Sequence, residues 1–171
     1  MTELRIGDQF IRFDRQATIA VYSAISQGDA ERCGCQGCRN FIIQRNAIYP
    51  REFRDLLTKI GIEVTKEGEA VHEGPKDNAH FYSGWFYFFG EVIEKGESCV
   101  SLGENFKYFV RTALHPPKAF GNMRAAVEFS TVLPWLLAEP YDPELDVQIR
   151  TMKDITRRYA GALRKLANTD D

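Results

Sequence analysis

The chain has 171 residues, a formal net charge of −2, 44% hydrophobic residues and 27% charged ones. That length suits one domain with its own core, that composition excludes a largely disordered chain, and the near-neutral balance gives no global attraction to nucleic-acid phosphates or anionic membranes. The start, Met1-Thr2-Glu3-Leu4-Arg5, lacks the basic and apolar regions of a secretory leader, and the longest near-apolar runs, 86–90 and 131–138, fall far short of a membrane span. The expected location is therefore the cytoplasm.

Residues 10–13 and 17–22 are rich in aromatic and β-branched side chains and predict two short strands joined by a turn at Asp14-Arg15-Gln16. A loop with Gly28, Gly34 and Gly37 follows and carries three cysteines. A short helix is expected over 40–48 and a second one from Pro50 at its first turn, where a missing N–H costs nothing. In that second helix Phe53, Leu56, Leu57 and Ile60 form one apolar stripe, Gly61 is placed to cap the end in a left-handed conformation, and Ile62 closes back on Leu57. Residues 63–79 are polar and turn-rich. They predict a loop or frayed hairpin, with the carboxylates of Lys66-Glu67-Gly68-Glu69 and Glu73 in water and titrating normally.

Residues 80–94 carry aromatics on both alternating faces: Tyr82, Phe86 and Phe88 on one, Phe81, Trp85, Tyr87 and Phe89 on the other. A strand apolar on both faces is usually central and covered on both. Strands over 106–112 and 126–133 follow, separated by a loop at His115-Pro116-Pro117, and Pro134 ends the second. Asp142 as N-cap, Pro143 behind it, and a stripe of Leu145, Ile149, Met152, Tyr159, Leu163 and Leu166 predict a long amphipathic helix over 142–168. The predicted fold is α+β over a single domain, 1–171. It consists of an antiparallel, aromatic-rich sheet with packed helices and a C-terminal helix that covers one face or meets a protein partner.

Chemistry concentrates in Cys33-Gly34-Cys35-Gln36-Gly37-Cys38. Two thiolates spaced C-x2-C can converge on one metal ion at ~2.3 Å, and Cys33 is positioned to add a third ligand. Disulfide stapling fits poorly, because a bridge between cysteines this close removes little unfolded-state entropy. Three readings remain: a metal site, with zinc the commonest occupant; reduced thiols packed in a loop; and a thiol–disulfide switch. A closed zinc site needs a fourth ligand, for which Cys99, His72, His80 and His115 are the candidates. Each histidine, taken alone, reads as a surface or loop residue. No phosphate-cradling glycine loop and no H-E-x-x-H motif is present. Glu91 and Glu94 beside the aromatic strand argue against base stacking there. Arg39, Arg45, Arg51, Arg54 and Lys59 read as a solvated helix face or a modest positive surface, which leaves nucleic acid a weak third possibility.

The order of several signals resembles a family of small bacterial proteins without an assigned function. The resemblance rests on Cys38-Arg39-Asn40-Phe41 after the cluster, Pro50-x-x-Phe53, Ile60-Gly61-Ile62, Lys66-Glu67-Gly68-Glu69, Gly84-Trp85-Phe86 and Pro134-Trp135, and spans about 33–137. It implies an α+β domain with a shared cysteine site, and no activity or substrate. The leading functional expectation is a non-enzymatic binding, adaptor or immunity-type module whose loop is organised by a cysteine-held metal. The alternative is a thiol- or metal-dependent enzyme.

Overall fold

A computed structural model of the chain describes residues 1–76, 78–113, 117–121, 124–152 and 155. Strands β1 (Thr2–Ile6), β2 (Gln9–Phe13), β3 (Glu69–Lys76), β4 (Ala79–Glu94), β5 (Val100–Ser101), β6 (Phe106–Thr112) and β7 (Arg124–Leu133) form one sheet. Its order is β1-β2-β4-β7-β6-β5, with β3 also paired to β4. All pairings are antiparallel. β4 is long enough to serve β7 along one edge while β2 and β3 share the other, β2 at 90–94 and β3 at 79–85. The α+β expectation and the antiparallel aromatic-rich sheet hold.

Helices α3 (Gln36–Ile48) and α4 (Arg51–Ile60) close one face of the sheet. Phe41 of α3, Phe53 of α4 and Tyr49 between the two helices meet Phe86, Phe106 and Phe129 from the sheet, with Tyr49 and Phe129 at 5.3 Å and Phe53 and Phe106 at 4.9 Å between ring centroids. Edge-on and tilted pairs of this kind add about 0.5–1.5 kcal/mol each beyond their burial. β4 follows strict alternation: Tyr82, Phe86 and Phe88 are buried, and the opposite side chains are half-covered. Full cover on both faces was expected. The second face is only partly closed, by Phe120 against Tyr87 and Phe89.

α4 forms as its stripe predicts, although Pro50 is the N-cap rather than the first helical residue. Gly61 sits at φ 94°, and the Ile62 N–H donates to Leu57 O at 2.9 Å, which completes the capping motif. The 17–22 strand is a correction: these residues lie in helix α1 (Arg15–Ala24). Asp14 Oδ1 accepts from the Ala17 N–H at 2.9 Å, and Thr18 and Tyr22, four apart, are the buried face. A side-chain cap and a helical spacing outweigh β-branched composition here. A second correction concerns 63–79, of which Glu69–Lys76 is an ordered strand on β4. β1, which the sequence reading missed, pairs with β2. The sheet also coils far enough that the Gln9 side chain, at the start of β2, bonds both backbone groups of Val110 on β6.

Residues 143–152 form a helix, α5, with Asp142 Oδ1 accepting from the Glu144 and Leu145 N–H groups. The remainder of the predicted 142–168 helix, with Tyr159, Leu163 and Leu166, lies outside the described residues. Among those described, only Ile149 of the predicted stripe packs on the core. Leu145 is 41% and Met152 68% exposed, whereas Asp146 is 2% exposed. No helix among the described residues is long and apolar enough to cross a membrane.

Candidate metal centre

The cysteines sit where two helices meet. Helix α2 (Asp29–Cys33) ends at Gly34, whose φ of 73° reverses the chain, and Cys35 is the N-cap of α3. The reversal brings the Cys33 and Cys35 sulfurs to 3.3 Å, and the Cys38 N–H donates to Cys35 Sγ at 3.4 Å. All three sulfurs lie within 4.8 Å of one another. Tetrahedral zinc with ~2.3 Å bonds places its sulfurs ~3.8 Å apart, so the trio closes on such an ion with small shifts. Cys35 and Cys38 are buried and Cys33 is half-buried. No disulfide joins them.

The α2 arm of the site is fixed by a buried charge network. Arg45 on α3 reaches Glu31 Oε1 at 2.5 Å, Glu67 Oε2 at 3.4 Å and Thr65 O at 2.9 Å. Glu67 in turn accepts from the Ala30 N–H at 3.1 Å, and its own carbonyl accepts from the Asp29 N–H at 3.0 Å. The side chain of Glu67 is fully buried. This overturns the expectation of a solvated turn with ordinary carboxylates, because burial holds the Glu67 carboxyl above its usual range against the pull of Arg45. A charged tetrapeptide gives no sequence sign of which acid turns inward. Arg45 therefore belongs to the interior rather than to a positive surface, and Arg39 is paired with Glu139.

The α3 arm is fixed through Gly37. Its carbonyl accepts from Tyr82 Oη at 3.1 Å, and its N–H donates to Asp146 Oδ1 at 3.2 Å. A Cβ at position 37 would fall 2.5 Å from the His72 side chain, so only glycine fits. Gln36 holds the next segment with both ends of its amide, donating to Pro140 O at 3.2 Å and accepting from the Asp142 N–H at 2.8 Å. Asn40 bonds Tyr82 Oη and Pro134 O.

His72 and His80 are the second correction at this site. Both are buried, not surface residues, and they share a hydrogen bond of 2.8 Å between His72 Nε2 and His80 Nδ1. Trp135 and Tyr141 pack on His80, at 4.5 and 5.4 Å between ring centroids. His72 Nδ1 has no hydrogen-bond partner and lies 3.7 Å from Asp146 Oδ2. Burial, reinforced by His80, lowers the His72 pKa to about 4, with Asp146 opposing. Asp146 also meets Arg150 at 3.2 Å, and Arg150 donates to His72 O at 2.9 Å. Burial works against the Arg150 charge, but Cys35, Asp146 and Cys38 outweigh it and hold the guanidinium more firmly protonated than usual.

As a thiol, Cys33 opposes the ionisation of both its buried neighbours. The Cys33 thiol holds Cys35 above its ordinary value, with burial, against the Cys38 thiol and N–H. Cys33, Cys35 and burial push Cys38 higher still. A divalent cation removes that conflict by taking the protons' place. Among the described residues, no further histidine, cysteine or carboxylate joins the group. Of the four candidates for a fourth ligand, His72 and His80 are engaged with each other and Cys99 is exposed near β5, while His115 lies outside the described residues. Asp146 and Arg150, which the sequence reading missed, left one faint trace: opposite charges four apart on the first turns of a helix. A cleft of about 430 Å³ between α1 and α4, lined by Arg15, Tyr22, Arg54 and Lys66 among others, includes none of the three cysteines.

Comparison of the chain with family models, with curated proteins and with solved structures gives no match. The functional argument therefore rests on the geometry.

Proposed function

We propose that Cys33, Cys35 and Cys38 bind one zinc ion as thiolates, and that the protein is a cytoplasmic, non-enzymatic binding module of the adaptor or immunity type whose α2–α3 loop the metal holds. The observation that carries this reading is the convergence of three sulfurs within 4.8 Å on a loop braced from both sides. The donor set supports zinc, since thiolates at this spacing suit it and exclude calcium and magnesium, which take oxygen. The exposed apolar side chains Leu145, Val147 and Met152 on α5 support a protein as the partner. Elemental analysis of protein purified without chelator should find one zinc per chain, and a chelator should lower its melting temperature. Metal-free protein that melts identically with and without chelator rejects the proposal.

A second reading, thiol–disulfide chemistry, is favoured by one specific feature. Cys35 caps the N-terminus of α3, where the Cys38 N–H donates to its sulfur at 3.4 Å. Cys33, at 3.3 Å, would resolve a mixed disulfide on Cys35. Reversible loss of two hydrogens on incubation with glutathione disulfide, seen by mass spectrometry in zinc-free protein, supports this reading. Its absence rejects it.

A further inference from the structure

The polar anchors of α5 all converge on the cysteine site. Asp146 grips the Gly37 N–H, between Cys35 and Cys38; Arg150 grips Asp146 and the His72 carbonyl; Gln36 grips the chain just before the helix at Pro140 and Asp142. Ile149 packs on the core, while Leu145, Val147 and Met152 face solvent. The helix is therefore attached mostly by hydrogen bonds and charge to the first turn of α3. The electrostatics explain why a cation belongs there. Three thiolates around one divalent ion leave one negative charge in excess, and it must be balanced in a partly buried setting. Arg150 is placed beside this turn by Asp146, which meets its guanidinium at 3.2 Å and takes the Gly37 N–H between Cys35 and Cys38.

We propose that Arg150, positioned by Asp146, is the counter-charge of the cysteine metal centre, so that metal loading and docking of α5 are one coupled equilibrium. This rests on the reading of the three cysteines as a metal site. Loading strengthens the hold on Arg150 by converting neutral thiols to thiolates, and by reciprocity the docked helix tightens the metal. Partners surrounding the immediate ligands commonly contribute a factor of about 10 to 100 in metal affinity.

The test uses the full chain and either zinc or cobalt(II), with affinity measured by competition against a chromophoric chelator. Arg150→Met, which keeps the stem and removes the charge, is compared with Arg150→Lys and with Arg39→Met, a charge-matched change one residue after Cys38. The expected result is binding weakened about 10- to 100-fold by Arg150→Met and less by Arg150→Lys, with Arg39→Met within about twofold of the parent. Amide hydrogen exchange across 143–152 should quicken when the parent protein is stripped of metal, while 106–112 in the sheet stays protected. Equal affinities in parent and Arg150→Met, or unchanged exchange across 143–152, overturn the coupling and leave the metal site standing. A parent chain that takes up neither ion overturns the metal site and the coupling with it.

Discussion

Two buried ionisable clusters set the behaviour of single residues. His72 is held neutral: its pKa of about 4 in the fold lies below the ordinary 6.5, so as pH falls the unfolded chain takes up the proton first. Stability should therefore decline as pH drops from about 6.5 toward 4 and level off below. The ceiling is about 3 kcal/mol at ~1.36 kcal/mol per pKa unit for a fully buried side chain. His80, lowered by burial, acts in the same direction, and Glu67, raised by burial, acts in the opposite one. Urea unfolding of His72→Gln and the parent at pH 7 and at pH 4.5 isolates the histidine, and a parent no more pH-sensitive than the variant refutes it. In the other cluster, Arg45→Met strands the buried Glu67 carboxylate and should cost about 3–5 kcal/mol. Glu67→Gln, which can still accept from the Ala30 N–H, should cost about 1–2 kcal/mol in the same denaturation assay.

Elements differ in how openly their sequences announce them. α4 carries an apolar stripe, a left-handed glycine and a returning hydrophobic residue, and each of these signals is local, so it forms as predicted. Phe53→Ala, which removes a ring packed on Phe86, Phe106 and Tyr108, should cost about 3–5 kcal/mol in stability. Gly61→Ala adds a Cβ at φ 94°, 2.7 Å from Arg15 O, and should cost at least ~1–2 kcal/mol. α1 was misread because Thr18, Ile19 and Val21 weigh toward strand in any propensity sum, while the deciding contact is Asp14 Oδ1 on the Ala17 N–H. Asp14→Ala should lower stability by about 1 kcal/mol, and an unchanged denaturation midpoint would falsify the cap's role. β3 was misread for a different reason: its pairing partner stabilises it, and Glu69–Lys76 has little strand character of its own.

At the scale of the molecule, metal and fold are linked by mass action. Zinc binding only the folded chain should stabilise it by about 2.7 kcal/mol at a free concentration one hundred times Kd, with Tm rising as zinc is added. Cys38→Ser should abolish that rise, and a zinc-independent Tm in the parent rejects the linkage. The sequence alone determined the α+β class, the principal strands, the capped helix and the three clustered thiols, because each depends on residues within a few positions of one another. Tertiary structure alone decided that Glu67, His72 and His80 are buried, that α5 turns Asp146 inward together with Ile149 and leaves Leu145 and Met152 exposed, and that Asp146 meets the cysteine loop at Gly37. Such facts depend on contacts between residues up to about a hundred positions apart, as from Gly37 to Asp146. Burial of a charge is favourable only when its distant partner arrives, and no local pattern records that arrival.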